Sequence, residues 1–230
     1  MPMQEFTCRA ILFDLDGVLV DSTDCIERHW TRWATQHGLD PAQVIRAAHG
    51  RPTVETIREV APHLNAADET ARLEAGEASD TDGVCAFLGA GELLKSLPEG
   101  SWAVATSGTR LTATSRLKQT GLPAPQVLIT ADDIRHGKPH PEPYLLAAQG
   151  LGVSPADCIV VEDAPPGVGS GRAAGARVVA VATSHGVEEL AGADAIIPEV
   201  RFLEVVLNSN GDGLTVRLRE TPSGQSSKES

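Results

Sequence analysis

The chain has 230 residues, of which 41% are hydrophobic, and a formal net charge of -12 at pH 7. This length and composition are typical of one globular domain, or of a domain with a small insert, and exclude global disorder. The acidic balance argues against a nucleic-acid partner, because phosphate backbones bind basic surfaces. A small phosphorylated molecule remains compatible with it, since a bound cation or a single lysine can reverse the charge locally.

Cysteine spacing and hydropathy limit the possible compartments. The four cysteines are widely spaced and form no C-x-x-C pair, which favours reduced thiols over a disulfide framework or a zinc site. No apolar run approaches 18 residues, and residues 1–9 lack the pattern of a signal peptide. We therefore expect a cytoplasmic protein with no membrane partner, and a monomer as the simplest oligomeric state.

The first motif is an apolar run at residues 11–13 that ends in Asp14, Asp16 and Gly17. The run is typical of a strand buried on both faces, as in a parallel sheet. Ligands of open α/β sheets bind beyond the carboxyl ends of the strands. Two carboxylates placed there can hold Mg²⁺, or can divide the work of nucleophile and proton carrier. An acidic turn is the alternative explanation for this pattern taken alone.

A block of helices is predicted directly after this strand, over residues 22–87, with no strand between residues 22 and 100. Ser22 is expected to cap the first helix, and Gly38 to end it. The helices of the block are predicted over residues 23–37, 42–48, 53–61 and 66–78. We interpret the block as a cap inserted into another domain.

From Trp102 onward, strands alternate with helices, which predicts a doubly wound, Rossmann-like parallel sheet with helices on both faces. The strands are predicted over residues 102–106, 127–130, 158–161, 177–182 and 195–197. The helices between and after them are predicted over residues 111–119, 141–149, 167–174 and 187–190.

The expected organisation is thus an α/β core with an inserted α-helical cap. Residues 214–218 alternate apolar and polar side chains and are a candidate edge strand of the core. The polar, serine-rich end of the chain is predicted to be disordered. The predicted boundaries are residues 1–21 and 88–221 for the core, 22–87 for the cap and 222–230 for the disordered tail.

Three further segments carry polar groups close to the ends of predicted strands. Thr106 and Ser107 offer a hydroxyl and backbone N–H groups to an anion, although an ordinary N-cap turn explains them equally well. Lys138, one of only four lysines, can balance carboxylates and a phosphate; a solvated surface lysine is the alternative. Glu162 and Asp163 end another apolar strand. Two acidic strand ends of one parallel sheet can meet at the same edge and form a site for a hard cation.

Together these segments resemble the haloacid dehalogenase superfamily of phosphohydrolases, over about residues 9–200. The helical block between the first two motifs resembles the subgroup with a small α-helical cap, subfamily IA. Within that subgroup the chain is similar to sugar- and polyol-phosphate phosphatases, such as glycerol-1-phosphate and 2-deoxyglucose-6-phosphate phosphatases. Residues 49–53 and 106–110 carry this closer similarity.

The resemblance implies two successive displacements at phosphorus, assisted by Mg²⁺. Asp14 would attack and form an aspartyl-phosphate, while Asp16 would first donate and then accept a proton. The implied Mg²⁺ ligands are Asp14, the backbone carbonyl of Asp16 and Asp163, with Glu162 either a ligand or a neighbour of the ligands. The implied phosphate-binding groups are Asp14, Thr106, Ser107 and Lys138.

The expected activity is that of a phosphoric monoester hydrolase acting on a small sugar or polyol monophosphate. His49 and Arg51, at a Gly-Pro break in the cap, are the candidates for recognising the substrate. The alternative is that they form a turn between helices on the surface. A β-phosphoglucomutase-like phosphosugar mutase would share all four motifs, but the absence of lysine from the cap favours the phosphatase. A non-catalytic sugar-phosphate sensor on the same fold is disfavoured because Asp14 and Asp16 are both present.

Overall fold

The structure, a computed structural model, describes residues 4–208 and 213–219. Its strands within these ranges are β1 Glu5–Cys8, β2 Ala10–Phe13, β3 Val20–Asp21, β4 Cys85–Ala86, β5 Trp102–Ala105, β6 Leu128–Ile129, β7 Cys158–Glu162, β8 Arg177–Val181, β9 Ala195–Ile197, β10 Leu203–Leu207 and β11 Leu214–Leu218. Its α-helices are α1 Thr23–Gln36, α2 Pro41–Ala48, α3 Thr53–Val60, α4 Ala66–Ser79, α5 Ala90–Ser96, α6 Arg110–Thr120, α7 Glu142–Leu151 and α8 Pro165–Ala173. Single turns of 3-10 helix occur at Ala131–Asp133, Pro155–Asp157 and Val200–Phe202.

A six-stranded parallel sheet in the order β6-β5-β2-β7-β8-β9 forms the centre of the protein. The predicted α/β fold class is therefore confirmed. Strand β2 lies between β5 and β7, and all four of its residues are buried. Because the strands are parallel, their carboxyl ends share one edge, and Asp14, Thr106 and Asp163 follow three adjacent strands there.

The two faces of the sheet are covered by different apolar clusters, as a doubly wound sheet requires. Ile11 and Phe13 of β2 point into one cluster, and Ala10 and Leu12 point into the other. This alternation is the period of two expected for a strand, and it explains why the run shows no polar position. Tyr144 of α7 belongs to the second cluster, which brings its side chain close to the carboxyl edge of the sheet.

A second, antiparallel sheet in the order β1-β11-β10 was only partly predicted. The expected strand at residues 214–218 is present, but the prediction that it is an edge strand of the core was wrong, because it is the central strand of this separate sheet. Strands β1 and β10 were missed. Strand β1 alternates polar and apolar residues over only four positions, and β10 has a glutamate within its apolar run, so neither pattern is distinctive.

Three other local predictions were wrong. Residues 22–100 do contain a strand, because β4 pairs with β3 in a two-residue antiparallel ribbon. Helix α5 was missed. The helix predicted over residues 187–190 is only a hydrogen-bonded turn, in which the amides of Glu189 and Leu190 donate to the carbonyl of Gly186. Pairings of two residues and single turns carry too little periodicity to be read from the chain. The predicted tail at 222–230 lies outside the described residues.

Helices α1 to α4 occur as predicted and have an apolar cluster of their own. Trp30 and Trp33 pack edge-to-face in it, with ring centroids 5.5 Å apart, and Ile57 is fully buried. The β3–β4 ribbon joins this helical layer to the sheet. These features support a separate cap over residues 22–87 and a core over 1–21 and 88–221, boundaries that remain a prediction.

The four cysteines are free thiols in the structure. None of the helices in the described ranges has the length and apolar character needed to cross a membrane.

The apolar cluster of the cap should contribute measurably to folding. We expect Ile57→Ala to lower the free energy of unfolding by about 2–5 kcal/mol, because it deletes fully buried methyl groups. Urea unfolding followed by circular dichroism measures this. Leu111→Ala is the matched control, since Leu111 is 57% exposed and should change stability by less than about 0.5 kcal/mol. Equal effects of the two substitutions would contradict the packing described here.

Candidate active site

Asp14 stands at the centre of the carboxyl edge of the sheet. It directly follows β2, its amide donates to the carbonyl of Val161, and its side chain is buried. Its Oδ1 atom lies 2.9 Å from the Nζ atom of Lys138. Burial raises the pKa of Asp14 to about 7, and the attraction of Lys138 opposes this shift. A buried carboxylate in contact with a lysine is well placed to act as a nucleophile.

Lys138 reaches this carboxylate from the loop before α7 and is 1% exposed, so the alternative of a solvated surface lysine is wrong. Its Nζ atom also lies 2.6 Å from Oε1 of Glu162. Burial acts to lower the pKa of Lys138, but its two carboxylate partners outweigh this effect and hold the pKa above its usual range. Lys138 is therefore a fixed positive charge between two negative ones.

Glu162 is held by protein groups on both of its oxygens. Oε1 accepts from the hydroxyl of Tyr144 at 2.6 Å as well as from Lys138, and Oε2 accepts from the amide of Asp163 at 3.0 Å. Gly167 makes room for it, because a Cβ atom there would lie 1.9 Å from the Glu162 carboxyl group. Glu162 is thus suited to orient Lys138 and Asp163.

Three buried carboxylates form a cluster suited to a divalent cation. One oxygen each from Asp14, Glu162 and Asp163 lies within 4.8 Å of the others. Burial and then the charges of Glu162 and Asp14 raise the pKa of Asp163 well above its usual value, while a hydrogen bond from the Ser184 hydroxyl lowers it. The three carboxylates and one lysine have a net charge of -2, which one divalent cation would balance. Carboxylate oxygens are the donors that hard cations such as Mg²⁺ prefer. The residues present therefore fit such a metal.

Gly17 allows the loop after β2 to approach the end of β7. Its φ of +81° is in the left-handed region, and a Cβ atom there would lie 2.0 Å from Oδ2 of Asp163. Its carbonyl accepts a 2.5 Å hydrogen bond from the hydroxyl of Thr183. Glycine is required here by the close approach as well as by the backbone conformation.

Asp16 lies two residues beyond Asp14 and has different partners. Its Oδ1 atom accepts a 2.6 Å hydrogen bond from the Ser22 hydroxyl and lies 3.0 Å from Nε of Arg116. Ser22 is the N-cap residue of α1, as expected, but its side chain makes no capping bond and donates to Asp16 instead. The contacts hold the Asp16 carboxylate beside Asp14 but apart from Lys138.

Arg116 was missed by the sequence analysis. It extends from α6, is 2% exposed, and places its Nη2 atom 3.0 Å from Oε2 of Glu77 on α4. Burial raises the pKa of Glu77 to about 8, against the opposing attraction of Arg116. A lone arginine within a helical pattern gives no sequence signal for such a contact, because its partners come from distant parts of the chain.

Thr106 and Ser107 follow β5 and line the cavity above Asp14. The Thr106 hydroxyl accepts from the amide of Gly108 at 3.1 Å, and the Ser107 hydroxyl donates to the carbonyl of Gly50 in the cap at 3.0 Å. The N-cap of α6 is Thr109, so this segment does contain an N-cap turn, and an anion-binding role for Thr106 and Ser107 stays a prediction.

The cap covers this edge of the sheet above a cavity of about 100 Å³ that is partly open to solvent. His49 and Arg51 lie in the turn between α2 and α3 and line this cavity together with Asp14 and Thr106, so their contact with a substrate stays a prediction. The His49 ring lies 5.4 Å from that of His185, and burial lowers its pKa. Nη1 of Arg51 lies 2.7 Å from Oε2 of Glu59.

Buried carboxylates of the cap make further contacts with the core. Glu74 accepts hydrogen bonds from the hydroxyl groups of Thr53, Thr109 and Thr112 and from the amide of Thr109. Glu55 accepts from the amide of Gly137, next to Lys138, at 2.8 Å. The cap is thus joined to two of the segments that form the site. No short motif points to either glutamate.

Comparison with known proteins agrees with this geometry. A family model described as haloacid dehalogenase-like hydrolase matches residues 11–181, which include Asp14, Asp16, Thr106, Lys138 and Asp163. The chain belongs to this family. Hexitol phosphatase A of Escherichia coli (strain K12) is 43% identical over 210 residues, covering 89% of this chain and 97% of the relative. The predicted family and enzyme class, a phosphoric monoester hydrolase, are confirmed.

Two further comparisons extend this result to a second relative and to a solved structure. Glycerol-1-phosphate phosphohydrolase 2 of Saccharomyces cerevisiae (strain ATCC 204508 / S288c) is 36% identical, covering 85% of this hydrolase and 84% of the relative. The crystal structure of a hydrolase from Pseudomonas syringae superposes with a TM-score of 0.76 at 25% identity, covering 84% of this chain and 94% of that one. Phosphatases of the family generally use a divalent metal.

The close approach at Gly17 can be tested through stability. We expect Gly17→Ala to lower the free energy of unfolding by roughly 2 kcal/mol more than Gly121→Ala, because its new methyl group collides with the Asp163 carboxylate. Gly121 has a similar φ of +67° with nothing within 4 Å of an added Cβ, so it controls for backbone strain alone. Chemical denaturation of both variants gives the comparison. Equal losses would mean that the two segments do not meet as described.

Proposed function

We propose that this protein is a Mg²⁺-dependent phosphatase that hydrolyses a small polyol or sugar monophosphate through an aspartyl-phosphate on Asp14. The observation that carries the proposal is the arrangement at the sheet edge. A buried Asp14 in contact with Lys138 lies beside a cluster of carboxylates, and Asp16 lies two residues away with separate partners. The phosphatase relatives support the same chemistry.

In the first displacement, an oxygen of Asp14 attacks phosphorus and the bond from phosphorus to the ester oxygen breaks. Asp16, in its protonated form, gives its proton to the departing alkoxide. In the second displacement, Asp16 takes a proton from water, the water oxygen attacks phosphorus, and the bond to Asp14 breaks. Inorganic phosphate leaves, and both aspartates return to their starting states.

The separate surroundings of the two aspartates suit their separate roles. Lys138 lies against Asp14 and can accompany the phosphoryl group as a positive charge. Ser22 and Arg116 hold Asp16 in place so that its carboxyl group can face the ester oxygen. Thr106 and the backbone N–H of Ser107 would bind the remaining phosphoryl oxygens, as an electrostatic cradle.

Asp14, Asp163 and the backbone carbonyl of Asp16 would hold the Mg²⁺ ion. When bound, it neutralises charge on the phosphoryl group and on the carboxylates around it. Glu162 is proposed to orient Lys138 and Asp163 rather than bind the metal, because its oxygens already accept three hydrogen bonds from protein groups.

The substrate proposal comes from the relatives and from the size of the cavity. The names of the compared relatives refer to hexitol and glycerol 1-phosphate, both polyol-based. The small volume of the cavity favours a small substrate, and His49 and Arg51 are proposed to contact its alcohol part. A phosphosugar mutase is the weaker alternative, since the cap contains no lysine. A cytoplasmic location and a monomeric state remain predictions.

The experiment that tests the proposal is phosphate release with Mg²⁺ across glycerol, hexitol, hexose, pentose and nucleoside monophosphates. We expect turnover of a few polyol or sugar phosphates, and we expect Asp14→Asn to abolish it because the amide is a poor nucleophile. Asp157→Asn is the matched control, since Asp157 lies exposed beside the opposite end of β7 and should leave turnover unchanged.

Two outcomes would contradict the proposal. Activity of Asp14→Asn above about a tenth of the wild-type rate would exclude Asp14 as the nucleophile. Conversion of glucose 1-phosphate to glucose 6-phosphate with an added bisphosphate, without phosphate release from any ester, would identify a mutase instead.

Removal of one metal-binding carboxylate should change the metal requirement. We expect Asp163→Asn to raise the Mg²⁺ concentration needed for half-maximal activity by roughly tenfold or more, since it deletes one of the charges that face the ion. A titration of activity against MgCl₂ measures this, again with Asp157→Asn as control. An unchanged titration would remove Asp163 from the proposed ligands.

A further inference from the structure

The side chain of Arg116 connects the proposed acid–base residue to the cap. It is buried, lines the cavity above Asp14, and places Nε 3.0 Å from Oδ1 of Asp16. Its Nη2 atom lies 3.0 Å from Oε2 of Glu77 on helix α4. The guanidinium group is therefore held from both sides, next to the position where the ester oxygen of a substrate would meet Asp16.

Two nitrogens of this group make no hydrogen bond within the described part of the chain: Nε, which nevertheless lies 3.0 Å from Oδ1 of Asp16 in an ion pair, and Nη1. Within the described part of the chain, Nη1 of Arg116 is buried and has no hydrogen-bond acceptor. A buried donor on a charged group that lacks an acceptor is rare, because its lost hydration is not replaced. Since the side chain lines a cavity that a substrate must enter, an acceptor on the substrate can supply the missing bond.

We infer that Arg116 is a specificity-determining residue that donates a hydrogen bond to a substrate hydroxyl group, on the carbon adjacent to the phosphorylated carbon. The inference rests on the proposed phosphatase function. Asp16 acts on the ester oxygen, and Arg116 contacts Asp16, so a hydroxyl one carbon further along the substrate comes within reach of Nη1. The substrates selected in this way are the monophosphates of 1,2-diols, the unit shared by glycerol and the hexitols.

Glu77 makes the site specific for a hydroxyl rather than for any oxygen. A hydroxyl group both accepts and donates a hydrogen bond. It can accept from Nη1 of Arg116 and donate to the neighbouring carboxyl group of Glu77, which also lines the cavity. A substrate without this hydroxyl leaves Nη1 unsatisfied, and sites of this kind strongly reject such analogues.

Glu74 provides an internal control. It lies three residues before Glu77 on the same helix, it is also buried, and it also connects the cap to α6. However, its carboxylate already accepts four hydrogen bonds from protein groups. A substitution of Glu74 should therefore affect how the cap docks but not how a hydroxyl is recognised.

The test uses two isomeric substrates, racemic 1,2-propanediol 1-phosphate and 1,3-propanediol monophosphate, which differ only in the position of one hydroxyl. kcat/KM is measured for each with Mg²⁺, by phosphate release. We expect the wild-type enzyme to prefer the 1,2 isomer by roughly tenfold to a hundredfold, as for a hydrogen bond to a charged group. Arg116→Met, Arg116→Lys and Glu77→Gln should reduce this preference to less than about threefold. Glu74→Gln should retain it, even if both rates fall.

The ratio of the two rates separates recognition from a purely structural role, which would lower both alike. Absence of a wild-type preference, a preference that survives in both Arg116 variants, or an equal loss in Glu74→Gln would overturn the inference. Should thermal unfolding show that Arg116→Met does not fold, Arg116→Lys and Glu77→Gln decide the outcome. Failure of the wild-type enzyme to release phosphate from any ester would instead refute the proposed function.

Discussion

The burial of like charges at one edge of the sheet is the constraint on which the rest of the site depends. Carboxylate oxygens of Asp14, Glu162 and Asp163 lie within 4.8 Å of one another, and Lys138 forms ion pairs with the first two of these residues. Isolated buried charges are costly, so each must be balanced by an opposite charge or by hydrogen bonds. Hydrogen bonds from Tyr144 and Ser184 contribute to that balance, although the chain as a whole carries a net charge of -12.

The contacts between cap and core are mainly polar. Glu55, Glu74 and Glu77 of the cap bind, in turn, the Lys138 loop, the start of α6 and Arg116. The apolar cluster of the cap is separate from those of the sheet. Water can replace hydrogen bonds when such an interface opens, whereas it cannot replace apolar contacts. This construction suits a cap that must admit a substrate and then exclude water from the reaction.

The parts of the fold that were predicted correctly are those with a clear local pattern of apolar residues. The strands of the central sheet are apolar on both faces, and the helices of the cap carry apolar residues at helical spacing. Strands β1 and β10, helix α5 and the β3–β4 ribbon were missed, although β1 and β10 are as long as strands that were predicted. Their structure comes from partners far along the chain; Glu5, for example, pairs with Arg217.

By itself, the sequence determined the parallel sheet, the family, and the positions of Asp14, Asp16, Thr106, Lys138 and Asp163, because each of these residues belongs to a recognisable motif near the site. Only the tertiary structure decided which groups they meet. In the folded protein, Ser22 and Arg116 contact the carboxylate of Asp16, and Lys138 and Tyr144 donate hydrogen bonds to the carboxylate of Glu162. The contact of Asp16 with Arg116 joins residues a hundred positions apart in the sequence, and a local sequence pattern cannot predict a contact of this kind.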